Sequence, residues 1–348
     1  MTHPVLLISD THYHNYSQYA QIAPSGVNTR LGDILRATLE AAKAVGPGAT
    51  IIHCGDVFHV RGSLPPSVLN PVVDMYAMLV RSGYKIHMIS GNHDLETDQA
   101  ARVSSSVSAL EAVGVNVIHK PGVTKIGDET WLFVPWIKDM DALRKVVRLH
   151  PTDNLVIHAP LNGVITGIPD HGLSPNDFKG LGFKRVFCGH YHNHRRFGVG
   201  LTDVFSVGAL THQNWGDVGS KAGYLILEPT GVRHVETSAP KFIKVSADDI
   251  ATHSDTYYAD NYIKVVDGDF TDPADVQAVK DDLLLRGAKH VTVEGLTRRP
   301  VATRGVVKTG SAPTIETILG DYLDRTYPGD TDVKATALEI IGLTNDYS

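Results

Sequence analysis

The sequence predicts an α/β protein in which two sheets pack face to face between outer helices, an αββα sandwich, with a small αβ module appended. Three observations carry this. Short apolar runs alternate with segments of helical period through the first half, the pattern of a layered α/β domain. Val123 to Val134 and Phe197 to Val235 are turn-rich with short β segments, which adds strands and therefore a second sheet. After Ala239-Pro240 the pattern resets to strand, helix, strand.

The elements follow in order. The first run is Val5 to Ile8. From Asn28 to Val45, residues Leu31, Ile34, Leu35, Thr38, Leu39 and Ala42 share one helical face. Asn28 or Thr29 can cap that helix, and Gly46-Pro47-Gly48 stops it. Thr50 to Cys54 is the next run, and a helix is expected over Ser67 to Arg81 with Pro71 in its first turn. Further strands are Lys85 to Ile89, Leu155 to Ile157 and Arg185 to Cys188, with another helix over Asp98 to Val113. Beyond Pro240, Tyr262 to Val266 reads as a strand. Pro273 to Leu285 reads as a helix capped by Asp272 and ended by Gly287, and His290 to Glu294 as a second strand. Arg298, Arg299 and Arg304 make a sparse basic cluster, and the tail holds two short helical candidates, Thr314 to Arg325 and Asp332 to Ile341. The expected units are residues 1–240, 241–300 and 301–348.

Composition narrows the class. The 348 residues are 42% hydrophobic and 20% charged, with a net charge of −6, which describes an ordinary globular chain without a global basic field. The two cysteines, Cys54 and Cys188, lie inside apolar runs, as buried reduced thiols would. No secretory core is visible near the start, and no apolar stretch approaches the roughly 20 residues of a membrane span. A cytoplasmic protein is expected. The 18 histidines are the unusual feature, because many fall just after short apolar runs.

Five such runs end in metal-competent residues. Val5–Ser9 leads to Asp10-Thr11-His12, and Ile51–Cys54 to Gly55-Asp56-Val57-Phe58-His59. Lys85–Ser90 leads to Gly91-Asn92-His93-Asp94, Leu155–Ile157 to His158, and Arg185–Cys188 to Gly189-His190-Tyr191-His192. Carboxyl ends of strands are where such sheets build their sites. The candidate donors Asp10, His12, Asp56, Asn92, His158, His190 and His192 mix carboxylates, imidazoles and an amide without a thiolate. That set suits Mn²⁺ best, with Mg²⁺, Fe²⁺ or Zn²⁺ open. Asp56, central in the order, is the natural bridge between two ions about 3.5–4 Å apart. His53 and His87 lie within strands and read as core or supporting residues, His194 with Arg195 and Arg196 as a solvated turn, and Cys188 as structural.

The ordered motifs Asp-x-His, Gly-Asp, Gly-Asn-His-Asp, His and Gly-His-x-His resemble those of the calcineurin-like metallophosphoesterase superfamily. The resemblance implies the two-sheet sandwich and a dinuclear centre. Asp10, His12, Asp56 and His192 would hold one ion, and Asp56, Asn92, His158 and His190 the other. It implies further that His93 protonates the leaving oxygen while Asp94 orients its ring, roles that suit imidazole and carboxylate chemistry. His59, three residues after Asp56, resembles the nuclease branch: SbcD-type exonucleases and the nuclease subunits of phage recombination complexes. A role for His59 on substrate phosphate follows from that likeness. So do DNA as substrate, a small DNA-facing capping module around Tyr262 to Glu294, a coiled-coil SMC-like ATPase partner and a homodimer. A small-molecule phosphodiesterase or phosphatase, for instance on cyclic nucleotides, could use the same donors. A non-catalytic scaffold would not keep every ligand position filled.

Overall fold

The computed structural model describes residues 4–97, 102–270 and 272–294, together with 322, 323 and 336. Met1–Thr297 forms one compact unit and Arg298–Ser348 a second. The basic cluster and nearly all of the two tail helices lie outside the described residues; Tyr322, Leu323 and Thr336 are helical.

Among the described residues the strands in chain order are β1 (Val5–Ile8), β2 (Thr50–His53), β3 (Lys85–Ile89), β4 (Asn116–Ile118), β5 (Gly122–Ile126), β6 (Glu129–Val134), β7 (Asn154–His158), β8 (Arg185–Gly189), β9 (Arg195–Val199), β10 (Thr202–Ser206), β11 (Gly223–Glu228), β12 (Gly231–Glu236), β13 (Phe242–Ser246), β14 (Tyr262–Val266) and β15 (His290–Val293). The helices are α1 (Thr29–Val45), α2 (Pro66–Arg81), α3 (Met140–Leu149), α4 (Asp255–Tyr258) and α5 (Pro273–Leu285). One mixed sheet runs β12-β11-β1-β2-β3-β4 and the other β5-β6-β7-β8-β10-β9.

The period of two along each central strand sorts side chains into layers. Val5, Leu7, Ile52 and Ile89 of the first sheet pack against Trp131, Phe133, Val156, Phe187 and Phe205 of the second. Trp131, Phe187 and Phe205 stack in series, with centroids 5.9 and 5.4 Å apart. The alternate residues Leu6, Ile8 and Ile51 face outward onto Leu31 and Ile34 of α1 and Val72 and Tyr76 of α2. Leu132, Leu155, Ile157 and Val186 likewise meet Leu143 and Val147 of α3. The result is the expected αββα sandwich.

Several details differ from expectation. α1 is capped by Asn28, whose side chain accepts from the Arg30 and Leu31 amides. α2 begins at Pro66, so Pro71 lies inside the helix rather than in its first turn. The helix expected over Asp98 to Val113 is a 3₁₀ segment, Ser106–Val113, with residues 98–101 outside the described set. Its cause is local: Leu95 bridges Ser105, and the Ser106 hydroxyl and amide both donate to the Asp94 carbonyl, turning the chain back on itself. α3 was not expected; Leu143 and Val147 are its two buried residues, too sparse a pattern to stand out.

Residues after Pro240 form a three-stranded parallel sheet, β13-β14-β15, covered by α5 through Leu283 and Val279. β13 is a strand beyond the two expected. The module joins the sandwich through an aromatic seam in which Tyr19 meets His290 at 4.2 Å, and Phe242 meets Tyr262 at 4.8 Å and Trp215 at 4.9 Å. Among the described residues, no helix is long and apolar enough to cross a membrane.

One surface carboxylate locks the start of β6 to the loop before β7. Asp153 accepts from the Thr130 amide and hydroxyl, both at 2.8 Å, and pairs with Lys184 at 2.9 Å. The Thr130 amide first, then Lys184, holds its carboxyl down at about 2. A depressed carboxyl contributes stability that is present above its unfolded value near 4 and is lost as pH falls toward 2. Asp153→Asn should therefore lower the unfolding free energy by about 1 kcal/mol at pH 7. In urea melts the gap from the parent protein should close between roughly pH 4 and 2.

Candidate metal centre

The parallel strands β1, β2, β3, β7 and β8 present their carboxyl ends on one edge, and the chain leaves them in unusual conformations. Asp10, His12, Asp56 and His190 all adopt positive φ, at 49°, 45°, 54° and 112°. Non-glycine residues rarely do so, and such strain clusters at functional sites. It is held by pairing that continues past the strand ends: the Asp10, His12 and Tyr13 amides donate to the Gly55, Asp56 and Val57 carbonyls at 3.0, 3.1 and 2.8 Å. Close approach explains two glycines. A Cβ on Gly91 would strike Asp56 and the His158 ring, and one on Gly189 would strike Ser9, Cys54 and the same ring.

All seven expected donors converge. Asp10, His12 and His192 form one group and Asp56, His158 and His190 another, each with its ligand atoms within 4.8 Å of one another. Asp56 Oδ2 lies between them, 3.6 Å from His12 Nε2 and 3.4 Å from His158 Nε2. Asn92 Oδ1 sits 3.2 Å from His158 Nε2 and 3.0 Å from His190 Nδ1. Ligand bonds of about 2.1 Å at tetrahedral or octahedral angles space donor atoms by roughly 3–3.5 Å. The donor set therefore fits divalent ions.

The electrostatics agree. Burial pushes the Asp10 carboxyl up. Burial also opposes ionisation of Asp56, but His158 and His12 outweigh it and hold Asp56 far below the carboxylate range. Burial works against a charged His158 too, yet Asp56 and Asp10 lift it to about 9. Two buried carboxylates thus create a field that draws positive charge. The thiols stay out of it: burial pushes Cys188 to about 12 and Cys54 well above its usual value, and Cys188 donates to the Ala159 carbonyl.

Second partners fix the rings, as they do in metal sites generally. His158 Nδ1–H donates to the Cys54 carbonyl at 2.8 Å, which turns Nε2 toward Asp56. His192 Nδ1 meets Asp217 Oδ1 at 2.7 Å. The His190 ring stacks on Trp136 at 5.5 Å. Beneath the centre, buried His53 donates from Nε2 to Thr11 Oγ1 at 3.0 Å and accepts the Gly55 amide at Nδ1, a supporting role. His87 pairs with Asn116 and stacks on Phe133, away from the donors. His194 is no ligand either, but it is half-buried rather than a solvated turn, stacked on His234 at 4.1 Å. Asp217 and Trp136 escaped the sequence reading. The Asn214-x-x-Asp217 capping box is visible in sequence, but it signals a helix start, not an imidazole partner.

A family model for calcineurin-like phosphoesterases matches residues 3–194, which contain every one of these donors. The chain belongs to the calcineurin-like phosphoesterase family. It is accordingly a metal-dependent phosphoester hydrolase with a dinuclear metal site. Exonuclease subunit 1 of Enterobacteria phage T4 is 27% identical over 165 residues, which is 46% of this chain and 48% of that protein. The chain thus aligns with about half the length of that curated relative. Among solved structures, an archaeal phosphodiesterase shares 17% identity with a TM-score of 0.38, covering 67% of this chain and 99% of that one. Phosphopantetheinyl hydrolase of Mycobacterium tuberculosis shares 17% with a TM-score of 0.39, covering 59% and 88%. Vps29 of Entamoeba histolytica, solved with zinc, shares 15% with a TM-score of 0.32, covering 67% and 98%.

Beside the phosphoesterase centre, the part-buried His93 ring meets the edge of His12 at 4.8 Å. Its amide donates to Asp56 Oδ1 at 2.9 Å, and its Nδ1–H donates to the His59 carbonyl at 2.7 Å. Asp94 does not orient that ring, contrary to expectation. Its buried carboxylate instead accepts the Val57, Phe58 and Gly91 amides at 3.2, 2.9 and 2.8 Å. Burial, with Asp56 adding, lifts Asp94 to about 7 while those amides pull it back. The His59 ring stacks on His93 at 5.6 Å and 19°, with His14 at 5.0 Å and Tyr16 at 5.5 Å. Burial brings His59 down to about 4, so it is neutral at pH 7.

Gly91→Ala tests the close packing. The added methyl has nowhere to go but into Asp56 and His158, so bound metal measured by elemental analysis should fall well below the parent's while the far-ultraviolet circular dichroism is retained. A variant with undiminished metal would show that the loop yields.

Proposed function

We propose that this phosphoesterase is a manganese-dependent DNA nuclease with exo- and endonuclease activity, the nuclease subunit of a recombination or repair complex. The observation that carries it is His59: a neutral imidazole stacked on His93 and flanked by His14 and Tyr16, lining the approach to the donors. Flat rings along an approach suit a strand whose bases and phosphates pass together. Similarity to a phage exonuclease subunit supports the same reading.

Asp10, His12, Asp56 and His192 would hold one ion, with Asp56, Asn92, His158 and His190 holding the other. Bound divalent ions supply Lewis-acid charge to the phosphoryl group and an activated nucleophile. The chain's own part is positional and protonic. His93 keeps Nδ1–H on the His59 carbonyl, so in the imidazolium form the Nε2–H would be the proton passed to the departing sugar oxygen, leaving the neutral ring with its hydrogen on Nδ1. Asp94 keeps the loops of the second and third motifs together through three amides, and His59 meets a phosphate of the strand. The module of residues 241–300 acts as a DNA-facing cap, the tail from 301 docks on a coiled-coil ATPase, and the nuclease pairs as a homodimer in the cytoplasm.

Labelled single- and double-stranded DNA incubated with the protein and Mn²⁺ tests the substrate; turnover of small phosphodiesters without DNA cleavage, even with the ATPase, would sink the proposal. His93→Ala should keep the metal content and lower kcat by about 10²–10⁴-fold. Asp56→Ala should lose metal itself, and equal metal loss in both variants would overturn the division of roles. His59→Ala should raise KM for oligonucleotides more than for bis(p-nitrophenyl) phosphate, measured by steady-state assay.

A further inference from the structure

Gln213 is buried, 3% exposed, and stands outside the donor set, yet each of its polar groups is engaged. Its Nε2 donates to the Asp10 carbonyl at 2.7 Å. Its amide donates to Asp217 Oδ2 at 2.7 Å, and Asp217 Oδ1 meets His192 Nδ1 at 2.7 Å. Its Oε1 lies 3.4 Å from the Tyr16 hydroxyl, which also reaches the His12 carbonyl at 3.1 Å. Its carbonyl accepts Arg30 Nη2 at 2.5 Å.

Asp10, His12 and His192 are the three members of one donor group, and Gln213 touches each directly or through one intermediary. The other group is held differently. His158 rests on the Cys54 carbonyl, His190 on the Trp136 ring, and Asp56 accepts the His93 amide. The groups meet at Asp56 Oδ2, 3.6 Å from His12 Nε2, and where the His190 amide, not its ring, donates to the Asp10 carboxylate. Arg30 extends the contact outward: its guanidinium lies over Tyr16 at 4.1 Å, and over Phe242 and Tyr262 of the small module at 5.2 and 5.6 Å.

We infer that Gln213 is the positioning residue of the Asp10–His12–His192 group, so that its loss weakens one ion of the pair and spares the other. The inference rests on the two-ion reading of the centre. Partners that orient ligands typically cost 10–100-fold in metal affinity when removed. A general structural role would lower both affinities together.

The test is Mn²⁺ titration of the full-length protein by calorimetry, with electron paramagnetic resonance following the coupled two-ion signal. Gln213→Met keeps the volume and the main-chain bonds but removes both side-chain contacts. One dissociation constant should rise by about 10–100-fold and the other should hold. The coupled signal should give way to a single-ion signal at low Mn²⁺ and return at saturation, with kcat recovering there. Asp217→Asn acts through His192 and should raise the same dissociation constant while sparing the other. Should Gln213→Met fail to fold, Tyr16→Phe removes one hydroxyl and should weaken the same ion by a smaller factor. Equal weakening of both ions, or no change in a folded variant, overturns the inference while leaving the two-ion reading intact. Fewer than two Mn²⁺ in the parent protein overturns that reading and this inference with it.

Discussion

The centre depends on main-chain bonds that continue the parallel pairing of β1 and β2 after both strands have ended. Asp10, His12 and Asp56 sit in left-handed conformations that cost of order 1–3 kcal/mol each. They persist because the amides of Asp10, His12 and Tyr13 have fixed acceptors across the gap, at Gly55, Asp56 and Val57. In extended chain residues i and i+2 share a face, and Asp10 and His12 bring their donor atoms into one group past the end of β1. The Asp-x-His spacing therefore puts both donors over the edge of the sheet. The stacked apolar layer between the sheets, from Val5 and Leu7 to Trp131 and Phe187, makes that edge rigid.

Charge is the second constraint, and it is settled by geometry rather than by solvent. Asp10, Asp56 and Asp94 are all buried, at 0%, 2% and 1% exposure. Isolated, each would neutralise itself, because desolvation of a carboxylate is costly. Asp56 escapes through the imidazoles around it, whereas Asp94 relies on three amides and stays higher. The difference separates their jobs. A strongly acidic carboxylate flanked by imidazoles belongs to the cation site, and one satisfied by backbone amides is a structural tie between loops. That is why Asp94, which sequence pairs with His93, is physically paired with Val57 and Phe58.

The donors were legible because each follows an apolar run, and a strand that ends in a His or Asp leaves few places for that side chain to go. The central strands were legible for the same reason: Val5 to Ile8 and Thr50 to His53 are short runs buried on both faces, without the alternation of a half-exposed strand. What sequence could not give are partners joined only by the fold. Asp217 and His192 are 25 residues apart, and Gln213 and Asp10 are 203 apart; no local pattern links either pair. α3 was missed because its exposed face dominates a ten-residue segment with two buried side chains. The helix over Asp98 to Val113 failed where Ser104 to Ser106 return to the Glu96 amide and the Asp94 carbonyl, so local side-chain and turn bonds displaced helical ones.

The two halves of the centre lean on different parts of the protein. His158 and Asp56 hang from the sheet ends and from loops tied by Asp94. His192 and Asp10 lean on the segment after β10, and that segment carries Trp215 into the aromatic seam with Phe242 and Tyr19. Lys264 of the small module lies over the Trp215 ring at 4.7 Å, and Lys289 pairs with Asp33 of α1 at 2.7 Å. Arg30, buried with its charge spread over aromatic faces and two main-chain carbonyls, closes this connection. A buried guanidinium held this way tolerates little displacement, because each lost contact leaves desolvated charge uncompensated. The small module therefore meets Arg30 through Phe242 and Tyr262, and Arg30 in turn holds the carbonyl of Gln213, whose side chain donates to the Asp10 carbonyl.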